Sequence, residues 1–544
     1  MDAPRASRPA NVLLAAGGIL AAALALALFL VPLPGAFGPL FGSGAKALIR
    51  TLNDSRTWSS LRFALLESLA SSVLALALGL PAAWLVARRE FRGRRFLSSL
   101  GAVPFAVPPL LVALGFVMFW GRSGAVNAFL VRVLGLDEPP VSFLYSIHGV
   151  VLAHAVYNFP IVMRMAGDLW ARLPDEQADA ARSLGAGEGR ILLGVTLPQL
   201  APALASATSL VFLYSFSSFV IVLVFGAMAG STLEVEIYRA ARIEVDQGRA
   251  ASLALVGTAA ALLLVGVYAA MEARHASPGQ SQGLRNPRKP LRGRLERVAA
   301  LAYGTVASIL VGGPAVSVLA ASFIERRGFS GTFGFGLGNY RRLFESGALG
   351  SLGVTLVLAL TTAFIAAAAG TAAAWGLRRL GARGPKLTFA YLPLAVSPAV
   401  IALGWTRVVP GRGGASLLAV ALIQAAGAWP LAWRSAHAAF SKIQGNVLDA
   451  AATLGSSTAD RARRVDLPLA ARGIASGAAF AFALSVGDAG SLILASPGGA
   501  PPLALLMYRL AGSYRFNEAC AAGVLMALLG SLAFAIREEA SDAL

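Results

Sequence analysis

Four ionisable side chains stand within or beside strongly apolar stretches of the sequence, namely Glu67, His148, His154 and Asp488. Inside a membrane such groups can couple ions or pair with one another, because an isolated charge in hydrocarbon is costly. Glu67 and His148 fall near the ends of apolar runs, where solvation or hydrogen bonding explains them. The more central His154 is typical of a hydrogen-bond partner between two helices. None of these three therefore predicts ion coupling.

Asp488 lies deeper, in "LSVGDAGSLILASP". A carboxylate inside a span costs about 3 kcal/mol on insertion scales and so tends to face a cavity or a partner. One interpretation places Asp488 on a solute path with Gly487 and with Ser218, its counterpart in the first half. The other makes Gly487 and Asp488 a helix break, where the carboxylate accepts hydrogen bonds from backbone N–H groups. Both interpretations stay open at this point.

Catalytic and nucleotide-binding patterns are missing from the sequence. No two candidate catalytic groups recur at a telling spacing, so we predict no catalytic residue and no enzyme. Cys520 is the single cysteine, which excludes an intrachain disulfide and a multi-cysteine metal site. Nothing fits G-x-x-x-x-G-K-[ST], and "GARGPKLT" has the wrong glycine spacing for a phosphate cradle. We therefore expect no cofactor or metal on this chain.

The composition is that of an integral membrane protein: 57% of residues are hydrophobic, 13% are charged, and the mean hydropathy is +0.69. Apolar runs of about 20 residues, long enough to cross the hydrocarbon core as helices, recur along the chain. We predict twelve all-α spans, at 11–31, 62–87, 97–120, 147–165, 200–226, 250–271, 298–321, 351–376, 388–405, 416–433, 471–495 and 515–535. The first run is too long for a typical signal peptide and is interpreted as an uncleaved span.

The net charge of +19 is distributed as in a membrane protein. Arginine clusters such as "RREFRGRR" and "RNPRKPLRGRLER" fall in alternate loops, as the positive-inside rule describes, although some outer loops also carry Arg. We therefore expect contacts with lipid and none with nucleic acid. The chain is predicted to be a multi-pass protein of the inner (plasma) membrane with both termini in the cytoplasm.

The second half of the chain repeats the first. "DAARSLGAGEGRILLGVTLP" begins at Asp179, and "DAAATLGSSTADRARRVDLP" begins 270 positions later, at Asp449. The predicted division is a first half at 1–271, a cytoplasmic linker at 272–297 and a second half at 298–544. Each half has six predicted spans, so the two repeats should insert in parallel.

Each repeated stretch lies in a polar segment between the fourth and fifth predicted spans of its half. We call residues 170–199 the first motif loop and residues 437–470 the second motif loop. Pro174 signals a helix start, and Gly185 or Gly187 can end that helix in a left-handed conformation. A second short helix is expected to follow, with Leu197 and Pro198 opening the next span. Small alanines after each Asp would let a neighbouring backbone come close.

The motif residues resemble the "EAA" loop of permease subunits of binding-protein-dependent ABC importers, with Asp where that family usually has Glu. They are Asp179, Ala180, Ala181, Gly185, Val195, Leu197 and Pro198 in the first loop, and Asp449, Ala450, Ala451, Gly455, Val465, Leu467 and Pro468 in the second. Two such motifs in register make the chain similar to the fused double permeases of ferric-iron and thiamine importers.

The resemblance implies a type I importer permease fold in which the motif loops couple to a separate ATPase. It also implies two copies of that ATPase, which use ATP and Mg, and an extracytoplasmic solute-binding protein. "GDAGSLIL" and "YRLAGSYR" look more like thiamine permeases than ferric-iron permeases. A lone carboxylate such as Asp488 suits a cationic aromatic solute such as thiamine. The alternatives are a ferric-iron permease of the same family and, from another class, a twelve-span secondary transporter.

Overall fold

The computed structural model describes residues 23, 26–43, 45–100, 107–226, 230–275, 286–291, 293–327, 332–379, 396–411 and 414–542. Helices account for most of these residues, as predicted. In chain order they are α1 Pro32–Ser43, α2 Ala45–Asn53, α3 Ser55–Arg88, α4 Arg94–Ser99, α5 Pro109–Trp120, α6 Ala125–Leu134, α7 Ile147–Trp170, α8 Glu176–Ser183, α9 Glu188–Ile191, α10 Leu197–Phe216, α11 Val220–Phe225, α12 Leu233–Tyr238, α13 Gln247–His275, α14 Gly293–Ala307, α15 Gly313–Phe323, α16 Gly338–Glu345, α17 Ala348–Arg379, α18 Pro398–Val408, α19 Leu417–Ser441, α20 Gly445–Thr453, α21 Thr458–Arg461, α22 Leu467–Gly487, α23 Ala489–Ala495, α24 Leu503–Gly512 and α25 Phe516–Asp542.

Short strands and irregular helical turns connect these helices. The parallel pair is β1 Arg89–Glu90 with β2 Lys289–Pro290. Two antiparallel pairs follow, β3 Ile324–Arg327 with β4 Thr332–Phe335 and β5 Pro410–Gly411 with β6 Gly414–Ala415. A 3₁₀ turn spans Phe143–Tyr145, and π-helical turns span Leu192–Thr196, Arg239–Ile243, Ser308–Gly312 and Ala462–Asp466.

Within the described residues, ten helices are long and apolar enough to cross a membrane, and they coincide with ten of the twelve predicted spans. The remaining two predictions lie partly outside the described residues. Of the run at 11–31, the described end continues into a helix, Leu26–Gly42, which meets Ala45–Asn53 at a 90° bend and could form an eleventh span. Of the run at 388–405, the described part is α18.

Contacts divide the chain into two compact units, each of which combines stretches from both halves of the sequence. The N unit comprises residues 50–236 and 259–336, and the C unit comprises 1–49, 237–258 and 337–544. The N unit therefore holds α15 from the predicted second half and α14, most of which also lies in that half, and the C unit holds α1 and the first five residues of α2 from the first half. The division at 1–271, 272–297 and 298–544 remains a proposal about the sequence repeat.

Glycines allow the closest helix crossings of the N unit. A Cβ built on Gly79 of α3 would lie 2.6 Å from the Cβ of Val162 in α7. A Cβ on Gly115 of α5 would lie 3.0 Å from the carbonyl oxygen of Pro314 in α15. Between apolar helices in lipid, association depends on such close backbone packing, since the hydrophobic effect contributes little there.

The C unit uses the equivalent glycines. A Cβ on Gly370 of α17 would lie 2.5 Å from the backbone nitrogen of Trp433 in α19, and one on Gly404 of α18 would lie 2.1 Å from the carbonyl oxygen of Pro32 in α1. The same two crossings thus recur in each unit. The third-span helices α5 and α18 each pack against a helix from the other half of the sequence.

These crossings predict that Gly79→Val destabilises the protein. The added side chain would overlap Val162 and the Phe159 carbonyl, and overpacking of this kind costs about 1–3 kcal/mol. Thermal unfolding of the detergent-solubilised chain measures the loss. Gly266→Val in α13 is the matched control, because a Cβ there meets nothing within 4 Å. Equal unfolding temperatures for the two variants would contradict this account of the crossing.

Candidate functional site: two motif loops and two buried polar clusters

The first motif loop contains the short helix α8, closed by a left-handed glycine. Gly185 has φ +84°, whereas Gly187 has φ −71°, so Gly185 is the residue that ends the helix. The N–H of Ala186 donates to the Ala181 carbonyl at 3.0 Å, and the N–H of Gly185 donates to Arg182 at 3.0 Å. This pair of hydrogen bonds is a Schellman motif, which requires positive φ at the glycine.

The second motif loop has the same geometry around α20. Gly455 has φ +77°. The N–H of Ser456 donates to the Ala451 carbonyl at 3.2 Å, and the N–H of Gly455 donates to Ala452 at 3.0 Å. The prediction of a glycine-terminated helix is confirmed in both loops. Asp179, Ala180 and Ala181 lie in α8, and Asp449, Ala450 and Ala451 lie in α20.

As predicted, the α-helix of the fifth span begins at Leu197 and Pro198, but the helical path starts before these residues. It is continuous from Glu188 to Phe216. Pro198 cannot donate to a carbonyl four residues back, and a π-helical turn accommodates it. In that turn the N–H of Leu197 donates to the Leu192 carbonyl, five residues back.

The second loop repeats this arrangement, with the N–H of Leu467 donating to the Ala462 carbonyl ahead of Pro468. Val195 and Val465 occupy the two π-helical turns. The Val-x-Leu-Pro part of each motif therefore marks a distorted turn inside a helix. Each motif loop is joined to its fifth span by uninterrupted helix.

The helices α8 and α20 expose all or part of every side chain, since neither buries a residue. Leu184 and Leu454, which precede the two left-handed glycines, are 90% and 87% exposed. Isolated helices of eight or nine residues are marginal in water. Each of these helices therefore presents an exposed leucine that a partner protein could cover.

An arginine at the end of the second span holds the chain just before each motif helix. Arg88 Nη2 donates to the Leu173 carbonyl at 3.1 Å, and Arg378 Nη2 donates to the Ile443 carbonyl at 3.3 Å. Leu173 and Ile443 are equivalent, being 270 positions apart. Arg378 also pairs with buried Asp466 at 3.4 Å. The two loops are thus attached to the span bundle in the same way.

A buried polar chain, which we call the histidine cluster, links three helical segments of the N unit. Glu67 is fully buried within the 34-residue helix α3, so the expectation that it lies near a span end was wrong. His154 Nδ1 contacts Glu67 Oε1, and His154 Nε2 lies 2.7 Å from Ser218 Oγ. His154 is therefore the interhelical hydrogen-bond partner that the sequence predicts.

Hydrogen bonding determines the roles of these atoms. The hydroxyl of Ser71 donates to Glu67 Oε1 at 2.6 Å, so that oxygen acts as an acceptor. His154 Nδ1, which contacts the same oxygen, must then carry a proton. Glu67 thereby receives donors from its own helix and from α7. The cluster ends at Ser218, in the break between α10 and α11.

The C unit contains a corresponding set, the glutamine cluster, around Asp488. Asp488 is half-buried in the break between α22 and α23, and its Oδ1 accepts from the N–H of Ser491 at 3.0 Å. The capping interpretation is thus confirmed as local geometry. The Gln424 Oε1 atom accepts from Ser485 Oγ at 2.6 Å and from Thr362 Oγ1 at 3.2 Å.

The two clusters occupy equivalent positions of the repeat with different side chains. Gln424 follows His154, and Asp488 follows Ser218, each by 270 positions. The carboxylate therefore lies on the second span in one half, as Glu67, and at the break in the fifth span in the other. The remaining candidate, His148, is exposed near the start of α7, beside the capping Ser146. No group able to hold a metal ion occurs among the described residues.

Comparison with known proteins agrees with this geometry. Residues 75–276, which contain the first motif loop, match the family "Binding-protein-dependent transport system inner membrane component". The thiamine transport system permease protein ThiP of Brucella abortus (strain 2308) is 28% identical over 487 residues, covering 88% of this chain and 86% of the relative. ThiP of Escherichia coli (strain K12) is 26% identical, covering 89% of each.

Residues 75–276 thus form a permease domain of the binding-protein-dependent transport family. A further relative, the putative 2-aminoethylphosphonate transport system permease protein PhnU of Salmonella typhi, is 34% identical over 166 residues, which is 30% of this permease and 57% of the relative. The membership assigns the permease the type I fold and makes it a multi-pass membrane protein, as its ten long apolar helices require.

Sequence reasoning identified the motif loops but gave too little weight to the histidine cluster. Glu67 was assigned to a span end, although its helix continues for twelve residues before it, back to Ser55. The overlooked signal was the repeat itself, because His154 and Gln424 are both polar and aligned at the same offset as the motifs. Polar residues at equivalent positions of two apolar helices are more informative than either one alone.

The histidine cluster predicts that His154→Ala strongly destabilises the permease. Removing the imidazole leaves the buried Glu67 side chain without its interhelical partner, at a cost of about 1–3 kcal/mol. The double variant Glu67→Ala with His154→Ala should lose less, because it removes both hydrogen-bonding partners. Denaturation of the purified permease measures both values.

The matched control is His148→Ala, which removes an exposed imidazole. We expect its unfolding to resemble that of the unmodified chain. If the double variant were at least as unstable as His154→Ala, the two side chains would not form the coupled pair described above.

Proposed function

We propose that this permease is the membrane subunit of an ATP-driven importer that passes thiamine, delivered by an extracytoplasmic binding protein, into the cytoplasm. The pair of equivalent motif loops carries the coupling part of the proposal. The thiamine part is supported by relatives named as thiamine permeases that align with 86–89% of their own length. We prefer thiamine to ferric iron for that reason, and the family membership replaces the secondary-transporter alternative.

The motif loops are proposed to dock a separate ATPase that uses ATP and Mg. Leu184 and Leu454 present equivalent apolar contacts beside identical glycine turns. Two equivalent docking elements are best satisfied by two copies of one ATPase, since each copy can make the same contacts. Movement of the turn after α8 or α20 would be carried into the fifth span, because the helix runs without interruption from Glu188 or Thr458 to the polar cluster.

The orientation follows from charge. The arginines at the end of α3 and in the linker lie on the same stretch of structure as the first motif loop, where Arg88 and Lys289 both contact Asp175. Positively charged loops face the cytoplasm in most membrane proteins. This supports our proposal that the motif loops and, with twelve predicted spans, both termini face the cytoplasmic side of the inner membrane.

The translocation path is proposed to pass the breaks in the two fifth spans, at Ser218 and at Gly487 and Asp488. Interrupted helices commonly line transport sites, because their free backbone ends face a cavity. A cationic solute would be stabilised there by the charge of Asp488. The unequal chemistry of Ser218 and Asp488 suits a solute that is itself unsymmetrical.

Uptake by vesicles that hold the complete complex tests the substrate. Labelled thiamine should enter in an ATP-dependent manner and labelled ferric iron should not. Asp488→Asn should slow thiamine uptake about tenfold, the effect of losing about 1.4 kcal/mol of charge stabilisation. Asn caps a helix about as well as Asp, so this variant removes the charge and keeps the cap.

Asp137→Asn is the control for this experiment, because it makes the same chemical change at an exposed position. Iron uptake without thiamine uptake would refute the proposed substrate. Thiamine uptake unchanged by Asp488→Asn would leave the substrate in place and reduce Asp488 to a helix cap.

Coupling through the motif loops predicts that Gly185→Pro combined with Gly455→Pro uncouples transport while leaving membrane insertion intact. Proline fixes φ near −65° and cannot adopt the φ of +84° and +77° found here, and it removes the N–H that closes each turn. ATPase activity should no longer respond to loaded binding protein. Gly187→Pro is the matched control, since its φ of −71° suits proline. Normal coupled uptake by the double variant would show that the loops are not the contact.

A further inference from the structure

The described part of the linker between the two halves packs against the first motif loop. We call residues 286–296 the linker segment, of which 292 lies outside the described residues. Its strand β2 pairs in parallel with β1, with Arg89 opposite Lys289. The sequence predicts a cytoplasmic linker here, and local composition contains no information about this pairing.

Asn286 holds the chain that leads into the loop. Its N–H donates to the Ala171 carbonyl at 2.8 Å, and its Nδ2 donates to the Leu173 carbonyl at 2.5 Å. The Leu173 carbonyl also accepts from Arg88, so the span bundle and the linker segment both donate hydrogen bonds to the same carbonyl group. A residue bound in this way has little freedom to reorient.

Asp175, the N-cap residue of α8, is held from two sides. It pairs with Arg88 at 2.9 Å and with Lys289 at 2.9 Å. Burial by itself would raise the pKa of Asp175, but the hydrogen bond to Lys289 and the charge of Arg88 hold that pKa below its usual value. A lowered pKa means that the attachment is fully present at neutral pH and is lost only as the pH falls through it.

A second ion pair between α3's end and the linker segment lies beside the ion pairs of Asp175. Arg89 pairs with Glu296 at 2.5 Å and its guanidinium lies 5.0 Å from the ring centroid of Trp84. Between these groups and α8 is a cavity of about 570 Å³. Its lining includes Trp84, Arg182, Lys289 and Glu296. The linker segment and the motif helix therefore form two walls of one cavity, and displacement of either wall changes the other's contacts.

The second motif loop is held by its own half. Arg378 binds the Ile443 carbonyl, as Arg88 binds Leu173, and both Arg378 and Trp375 contact Asp466. The hydrogen bond from an arginine of the second span is therefore common to both loops. The contacts from Asn286 and Lys289 are added to it in the first loop.

We propose that the linker segment is a positioning element of the first motif loop, with Asn286 and Lys289 orienting α8 for its ATPase partner. This inference rests on the proposed coupling function of the loop. Among the described residues, the two motif loops are then held unequally, the first by a span and the linker segment and the second by its span. The linker then has a role in coupling in addition to joining the halves.

Hydrogen exchange of the purified permease tests the positioning without any partner. In Lys289→Glu the added carboxylate repels Asp175, and amides of residues 176–186 should exchange about fivefold faster, as expected for loss of a partly exposed ion pair. Lys289→Met should increase the exchange rate less, and Lys289→Arg should exchange at the rate of the unmodified chain. Asn286→Ala should act in the same direction as Lys289→Met. Arg341→Glu, which breaks the exposed Arg341–Glu345 pair on α16, is the matched charge-reversal control.

Coupling is measured in the complete complex as the stimulation of ATPase activity by loaded binding protein. Lys289→Glu should reduce this stimulation several-fold with basal ATPase activity unchanged, and Lys289→Arg should not. Unchanged exchange in Lys289→Glu would overturn the proposal. Faster exchange with normal stimulation would overturn the role of the linker in coupling. If Gly185→Pro in the same loop also left stimulation normal, the coupling function of the loop would have failed rather than the linker contact.

Discussion

Hydrocarbon cannot hydrogen-bond a peptide group, so a helix that breaks inside a membrane has to find partners for its free backbone ends within the protein. Both fifth spans break at equivalent positions, after Phe216 and after Gly487. In the C unit Asp488 accepts from the Ser491 N–H, and in the N unit the Thr232 hydroxyl donates to the Ser218 carbonyl. Several buried polar residues of the permease lie beside these breaks, among them Ser215, Ser485 and Ser491. The hydrogen bonding of the broken backbone therefore explains the positions of these residues without reference to any solute.

The breaks are also the far ends of the elements that begin at the motif loops. From Glu188 to Phe216 the helix has 29 residues, which corresponds to about 43 Å at 1.5 Å per residue. One continuous helical element thus joins the exposed turn that we propose binds the ATPase to the polar cluster that we propose lines the solute path. The π-helical turn keeps this element continuous through Pro198. Continuity matters for coupling, because a loop separated from the span by a flexible joint would transmit little of its movement.

The two halves of the permease share the same architecture but differ in some of their side chains. Glycine crossings, glycine-ended motif helices, π-helical turns and arginine grips recur at equivalent positions, whereas the polar clusters do not match. One contains Glu67, His154 and Ser218, and the other contains Gln424 and Asp488. The linker contacts at Asp175 increase the inequality. A chain in which the two halves are fused can maintain such differences, since the two halves mutate independently while their stoichiometry stays fixed.

Features that depend on neighbours in the sequence could be predicted from it. Apolar length identified ten described spans, the repeat located both motif loops, and the need for positive φ limited the end of the first motif helix to Gly185 or Gly187. These depend on hydrophobicity over about 20 residues or on the conformational freedom of a single residue, and both are local properties. Tertiary structure decided which distant groups meet. Glu67 pairs with His154, 87 positions away, and Lys289 pairs with Asp175. It also decided the unit into which α14 and α15 pack and the helical path through Pro198. In each of these cases the outcome depends on which distant group is available to satisfy a charge, a carbonyl or a close backbone approach, and spacing along the chain does not specify that group.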